Sequence, residues 1–365
     1  MNNTRRLLAL FLALLMMVSA TPALMETTLI EGVVKREDIP FLTDYPNNPV
    51  IPGESGTTGL PFEGVFAPVV MVVDNAPKAH PHWGVIDADV IYQVPNAGAG
   101  ATKLLALFSD KIPAAAGGSR SARSPFVDVA REWGGGFVFA GYPVFDGKNK
   151  ASVVDKLKSA QMRNNQSAFN LLSKNDYSGR IKGYESPHNL SVDVKKIQDM
   201  LISSGKEITP RPFLFSDSLP SGYPAANQVT VRHYGEEYRR GRDNPASWSI
   251  FTYDAAQNAY LRKNTAGPYV DRDAPDTPIP FANVIVQRVR FSYSGNYVTL
   301  EYLTGNGAAE IFTGGQYIKG GWYKKDLDSR TVFVDEKGEE IKLQRGKTFI
   351  ILTNATTRVE YGPAQ

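Results

Sequence analysis

Cysteine is missing from all 365 residues. That absence excludes disulfides, thiolate chemistry, sulfur-ligated structural zinc and lipid attachment through an N-terminal cysteine. Stability must therefore come from packing, and a chain that is 42% hydrophobic and 11% aromatic has enough apolar material to fill two ordinary domain cores. Histidine is scarce as well, at four residues. His80 and His82 make an H-x-H beside Pro81, yet no third ligand completes a site, so no metal and no cofactor are expected. Dense Lys/Arg runs are also lacking. The formal charge of +3 falls to +1 if Arg5 and Arg6 leave with an N-terminal leader, which argues against nucleic acid as a partner. Beyond that leader, no stretch approaches the roughly 20 apolar residues a membrane span needs.

What is present begins with a basic start at Arg5 and Arg6, an apolar run from Leu7 to Ala20, and small residues through Ala23. This is the layout of a secretory signal peptide over residues 1–23, with an uncleaved anchor as the alternative. Either way an extracytoplasmic location is expected. Residues 24–63, rich in Pro, Gly, Thr and Asn without a sustained period, are expected to be a flexible linker.

From 64 to 212, short β-like runs (Val69–Val73, Val90–Val94, Leu104–Phe108, Gly136–Ala140) alternate with helical patterns at Ser124–Trp133, Ser152–Ala160, Gln166–Lys174 and Ser191–Ser203. From 213 to 358, strands rich in β-branched and aromatic residues are punctuated by turn dipeptides such as Asn306-Gly307 and Lys337-Gly338. The expected class is α+β: an N-terminal layered α/β-type domain, then an all-β domain built as a meander or partly closed barrel.

Three clusters are candidates for chemistry. Arg120, Ser121 and Arg123 follow Gly117-Gly118, where a glycine-rich bend into a helix offers free N–H groups and two guanidinium forks to a carboxylate or phosphate. The alternative is an internal ion pair with Asp74 or Asp128. Asp74 and Asn75 end a strongly apolar strand, at the sheet edge where ligands tend to lie, or else simply cap a turn. His188 and Asn189 follow Pro187, and an imidazole there suits acid–base or hydrogen-bonding work as well as satisfying buried backbone groups. Neither a G-x-S-x-G elbow nor an S-x-x-K surrounds Ser121, so the nucleophilic set is incomplete. Trp248, Tyr253, Tyr260, Tyr317, Trp322 and Tyr323 suit cross-strand packing better than a sugar-binding face.

Several of these segments, in order, carry a resemblance. Val72–Lys78 (VVDNAPK), Gly118–Arg123 (GSRSAR), Phe139–Gly141 and Ser186–Leu190 (SPHNL) resemble the N-terminal part of the DUF3048 or YerB-like family of bacterial envelope proteins. Asn283–Val286, Gly315–Trp322, Asp335–Gly338 and Leu343–Thr348 are similar to its C-terminal β part. The resemblance spans roughly Phe62 to Thr353. It implies a two-part extracytoplasmic protein, often lipid-anchored, with no activity established for the family. Where that family carries acidic residues and then an Arg after its second strand, this chain has Tyr92–Ala97 and Lys103. The expectation is a non-catalytic binding or regulatory protein near the cell wall, whose partner is a wall polymer or an envelope protein. The alternative is a hydrolase or transferase on peptidoglycan or a related polymer, with His188 as base and Asp74 orienting it.

Overall fold

The computed structural model describes residues 27–30, 45–97, 101–163, 167–233, 248–265, 267–355 and 357–363. The leader expected over 1–23 lies outside the described residues, as does much of the segment 24–63.

A ten-stranded mixed sheet organises the molecule. Five of its strands come from the first half of the chain: β1 (Val69–Asp74), β2 (Val90–Pro95), β3 (Thr102–Phe108), β4 (Gly136–Phe139) and β5 (Ala168–Asn170). Five come from the second: β6 (Asn283–Arg288), β7 (Gly305–Thr313), β8 (Gln316–Lys324), β9 (Val332–Asp335) and β10 (Thr348–Thr353). Their spatial order is β9-β8-β7-β6-β10-β2-β3-β1-β4-β5. The two halves therefore meet inside one sheet, through parallel pairing of β10 with β2. The expected α/β-type and all-β parts thus both contribute strands to one sheet. Local periodicity marks strands but carries no information about which distant strand becomes the neighbour.

The near-continuous apolar runs of β1, β2, β6 and β10 have the pattern of strands buried on both faces. One face carries Val69, Met71, Val73, Phe349 and Ile351 and packs against Val194, Ile197 and Leu201 of helix α3 (Val194–Ser203), and against Val229, Phe251, Tyr260 and Phe281. Those last side chains belong to a second, seven-stranded sheet that includes Gln228–Arg232, Trp248–Asp254, Ala259–Asn264 and Arg358–Gly362. The opposite face, with Val70, Val72, Leu105, Ile285 and Ile350, is covered by Phe126 and Val127 of α1 (Ser124–Arg131) and by Val153 and Leu157 of α2 (Val153–Ser159). Strand outweighs helix by 42% to 11%, and among the described residues no sheet closes into a barrel.

Local expectations fail at three places. The helix expected over Gln166–Lys174 does not form in its described residues: Ala168–Asn170 are the edge strand β5, with Phe169 inserted fully into the core beside β4, and a turn follows. Tertiary pairing outweighs helical spacing in so short a segment. Ser191 sits in a strand, Leu190–Val192, and the α3 cap is Asp193, whose carboxylate accepts from Lys196 N. Within the expected linker, Ser55, Thr57 and Thr58 are buried, and their hydroxyls donate to the Asp110 carboxylate at 2.6–3.1 Å. A Ser/Thr-rich composition suits a mobile tether, but it equally suits a loop wrapped on a distant carboxylate.

Candidate functional site

Asp74 is the hub. It ends β1, is 3% exposed, and its cross-strand register partner on β3 is Lys103. Lys103 Nζ lies 3.8 Å from one carboxylate oxygen; Arg120 Nε and His188 Nδ1 lie 2.9 and 2.7 Å from the other. Ala76 N donates to the first oxygen as well. Burial alone would raise the Asp74 pKa, but Lys103, the hydrogen bond from His188 and Arg120 together hold it below the usual carboxylate value. Burial pulls Lys103 down to about 8 despite Asp74, with Arg120 and Arg123 adding repulsion.

A cavity of about 840 Å³ opens beside this hub. Asp74, Asn75, Lys103 and Arg120 line it from the first half of the chain; Trp248, Arg262, Asn264 and Tyr269 line it from the second. A hydrogen-bonded chain runs along the wall. Arg262 Nη2 donates to Ser249 Oγ, Ser249 Oγ to Gln93 Oε1, and Gln93 Nε2 to Thr102 Oγ1, which also receives Asn75 Nδ2. His80 joins it at Asn75 Oδ1. His82, fully buried beneath the floor, makes a 2.5 Å contact from Nε2 to the Asp74 carbonyl, and desolvation lowers its pKa to about 4, so it serves here as a neutral brace.

The sequence candidates divide. Asp74, Asn75 and Arg120 line the cavity. His188 touches Asp74, although neither it nor Ser121, Arg123 or Asn189 is among the described lining residues. Asn189 accepts from Arg180 instead. Arg123 donates to the Ala122 carbonyl and lies 5.6 Å from the Tyr297 ring centroid. Of the two internal pairings open to the arginines, Arg120 takes Asp74, while Asp128 takes Lys156 at 2.6 Å.

The glycine bend has a different role from the one expected of it. The N–H groups of Gly117, Ser119, Arg120 and Ala122 all donate to main-chain carbonyls, leaving none of the four for an anion. Glycine is required there by close approach: a Cβ on Gly117 would lie 2.1 Å from the Trp83 ring, and one on Gly118 would lie 2.1 Å from the His188 carbonyl oxygen.

Sequence reasoning missed Arg262 and noted Lys103 only as a departure from a pattern. The missed signal was the two-residue period: Arg262 shares the inward face of its strand with Tyr260, both being buried. Trp322, Tyr260, Tyr317 and Tyr323 are core or near-core residues as expected, and Trp248, of the aromatics the sequence singled out, lines the cavity together with Tyr269.

Two family models match the chain in the order of its halves. The DUF3048 N-terminal domain, described as a protein of unknown function, matches residues 57–207, and the DUF3048 C-terminal domain matches 240–350. The chain belongs to the DUF3048 family. A relative from Bacillus subtilis (strain 168), named "Putative lipoprotein YerB", is 25% identical over 290 residues, covering 78% of this chain and 80% of its own length. The crystal structure of the YerB protein from Bacillus subtilis matches with a TM-score of 0.67 at 23% identity, covering 82% of this chain and 96% of that one. The shared fold thus includes both halves of this DUF3048 chain. Among the described residues, no helix is long and apolar enough to cross a membrane.

Because Asp74 compensates buried cations, Asp74→Asn is expected to lower stability by about 2–4 kcal/mol at neutral pH. The native carboxylate, whose folded pKa is depressed, contributes stability above its ordinary value of 3.8 and loses it as the pH falls through the lower folded value. The Tm gap between the two proteins should therefore narrow in acid. A gap that stays constant from pH 7 to pH 3 would contradict this.

Proposed function

We propose that the protein is a non-catalytic extracytoplasmic binding protein that takes an anionic ligand, from the cell wall or an envelope partner, in the cavity beside Asp74. The observation that carries this reading is the charge of the wall: Lys103, Arg120 and Arg262 against the single carboxylate of Asp74. Partly enclosed cationic walls concentrate anions and strengthen each charge-assisted hydrogen bond. An extracytoplasmic location agrees with the leader-like N-terminus and with a relative whose name calls it a lipoprotein. This chain, having no cysteine, would remain at the envelope by other means.

One observation favours the enzymatic alternative, a hydrolase or transferase on an envelope polymer: the 2.7 Å contact of His188 Nδ1 with Asp74, the geometry that orients a histidine base. Against it, His188 is not among the residues lining the cavity.

Calorimetric titration with soluble anionic wall fragments, followed by mass spectrometry of the recovered ligand, tests both readings. The expected result is saturable binding with the ligand returned intact; fragments returned cleaved or transferred would establish the enzyme instead. Lys103 supplies a pH signature. Its free-protein pKa of about 8 leaves it mostly charged at pH 7 and mostly neutral at pH 9. An anion prefers the charged form, so affinity should fall by about tenfold across that interval. Lys103→Met should abolish the pH dependence.

A further inference from the structure

Arg262 is 3% exposed and lines the cavity, yet among the described residues no carboxylate pairs with it. Its Nε and Nη2 both point at one hydroxyl, Ser249 Oγ, at 3.3 and 3.1 Å. The guanidinium otherwise rests near the rings of Tyr269 and Phe349, 5.0 and 5.3 Å from their centroids. Other strongly buried cations of the molecule show how such a charge is ordinarily held: Arg288 meets Glu310 at 3.0 Å, and Lys324 meets Glu132 at 2.7 Å. Burying an unpaired charge is costly enough that folded proteins rarely retain one without a counter-charge. Desolvation accordingly pulls the Arg262 pKa down to about 10, leaving it charged at neutral pH.

We infer that Arg262 is the anchor of the cavity, that its missing counter-charge is the acidic group of the ligand, and that the ligand is an acidic saccharide. This rests on the anion-binding reading above and adds the decisive residue and the ligand class. The saccharide assignment comes from the rest of the wall. Asn75, Gln93 and Thr102, hydrogen-bonded to one another along the wall, and Asn96 give the cavity an amide and hydroxyl lining of the kind that meets ring hydroxyls and acetamides. The Asn96 Oδ1 is buried without a hydrogen-bond partner, as an acceptor held for a ligand donor would be. Trp248 also lines the cavity, with the Arg232 guanidinium over its ring 4.0 Å from the centroid, so an aromatic edge and a cation stand beside the polar wall. A cavity of about 840 Å³ also far exceeds a lone inorganic anion and lies in the range of organic ligands.

Two arms test this. In the first, Arg262→Met is melted without ligand. An uncompensated charge destabilises the empty protein, so its removal should raise Tm by about 2–4 °C. A fall in Tm or a failure to fold would assign Arg262 to the core and overturn the inference. In the second, the wild-type protein is titrated at fixed ionic strength with N-acetylmuramic acid, N-acetylglucosamine and inorganic phosphate. The two sugars share a ring and an acetamide and differ in the lactyl carboxylate. The acidic sugar should bind at least about tenfold tighter than either control, with that preference lost in Arg262→Met. Phosphate binding as tightly as the acidic sugar would overturn the saccharide class. Anion binding that survives in Arg262→Met but is lost in Lys103→Met would overturn the role of Arg262 while leaving the general reading intact. Wild-type protein that binds neither these probes nor wall fragments would overturn both.

Discussion

Glu132→Ala should lower the unfolding free energy by about 3–5 kcal/mol, measured by urea denaturation of the full chain. Glu132 follows α1 and is 2% exposed. Its carboxylate accepts from Lys324 Nζ at 2.7 Å, from Thr331 N at 2.7 Å and from Thr331 Oγ1 at 2.9 Å. Removing it leaves three donors unsatisfied, one of them the ammonium of Lys324 with no exposed side-chain surface. Breaking one side of a buried pair costs far more than the pair contributes, because the remaining charge has no water to return to. The double variant Glu132→Gln with Lys324→Met, which removes both charges together and retains an acceptor for Thr331, should recover most of the loss. A loss below about 1 kcal/mol for Glu132→Ala would show that water reaches Lys324, contrary to its burial. The contact also ties the helical layer of the first half to strand β8 of the second, 192 residues away in sequence.

Residues 57–207 expressed alone should give no cooperative unfolding transition and should bind a hydrophobic dye, although they match one family model by themselves. The fragment keeps β1 to β5 but loses β10, the parallel neighbour of β2. It thereby exposes the hydrogen-bonding edge of Val90–Pro95, an unprotected apolar strand. It also loses the second sheet, whose Phe251, Tyr260 and Phe281 share a core with Val69, Met71 and Val73. Mixing this fragment with residues 208–365 should restore a cooperative transition, since β10 and the strands of the second sheet from Gln228 onward are then supplied in trans. A sharp two-state melt of 57–207 alone, near the Tm of the whole protein, would show that the half-sheet is self-sufficient.

Much of the local structure was written in the sequence. The apolar runs at Val69–Val73 and Val90–Val94 announced strands, and the helix expected from Ser152 does begin there, with the Ser152 side chain accepting from Asp155 N. Asp74 and Asn75 were legible as site candidates because polar residues at the end of a fully apolar strand stand out against it, and Arg120 because its guanidinium follows a glycine pair. These features depend on residues within a few positions of one another, so periodicity and capping record them directly. Tertiary structure decided the rest. It inserted β10 between β6 and β2, so that strands from both halves share one sheet. It turned Arg123 toward Tyr297 and brought Arg262 to the cavity wall that Arg120 lines. A buried charge is recognisable only by the presence or absence of its counter-charge, and that partner is set by chain folding across tens to nearly two hundred residues, distances over which side-chain order alone specifies no contact.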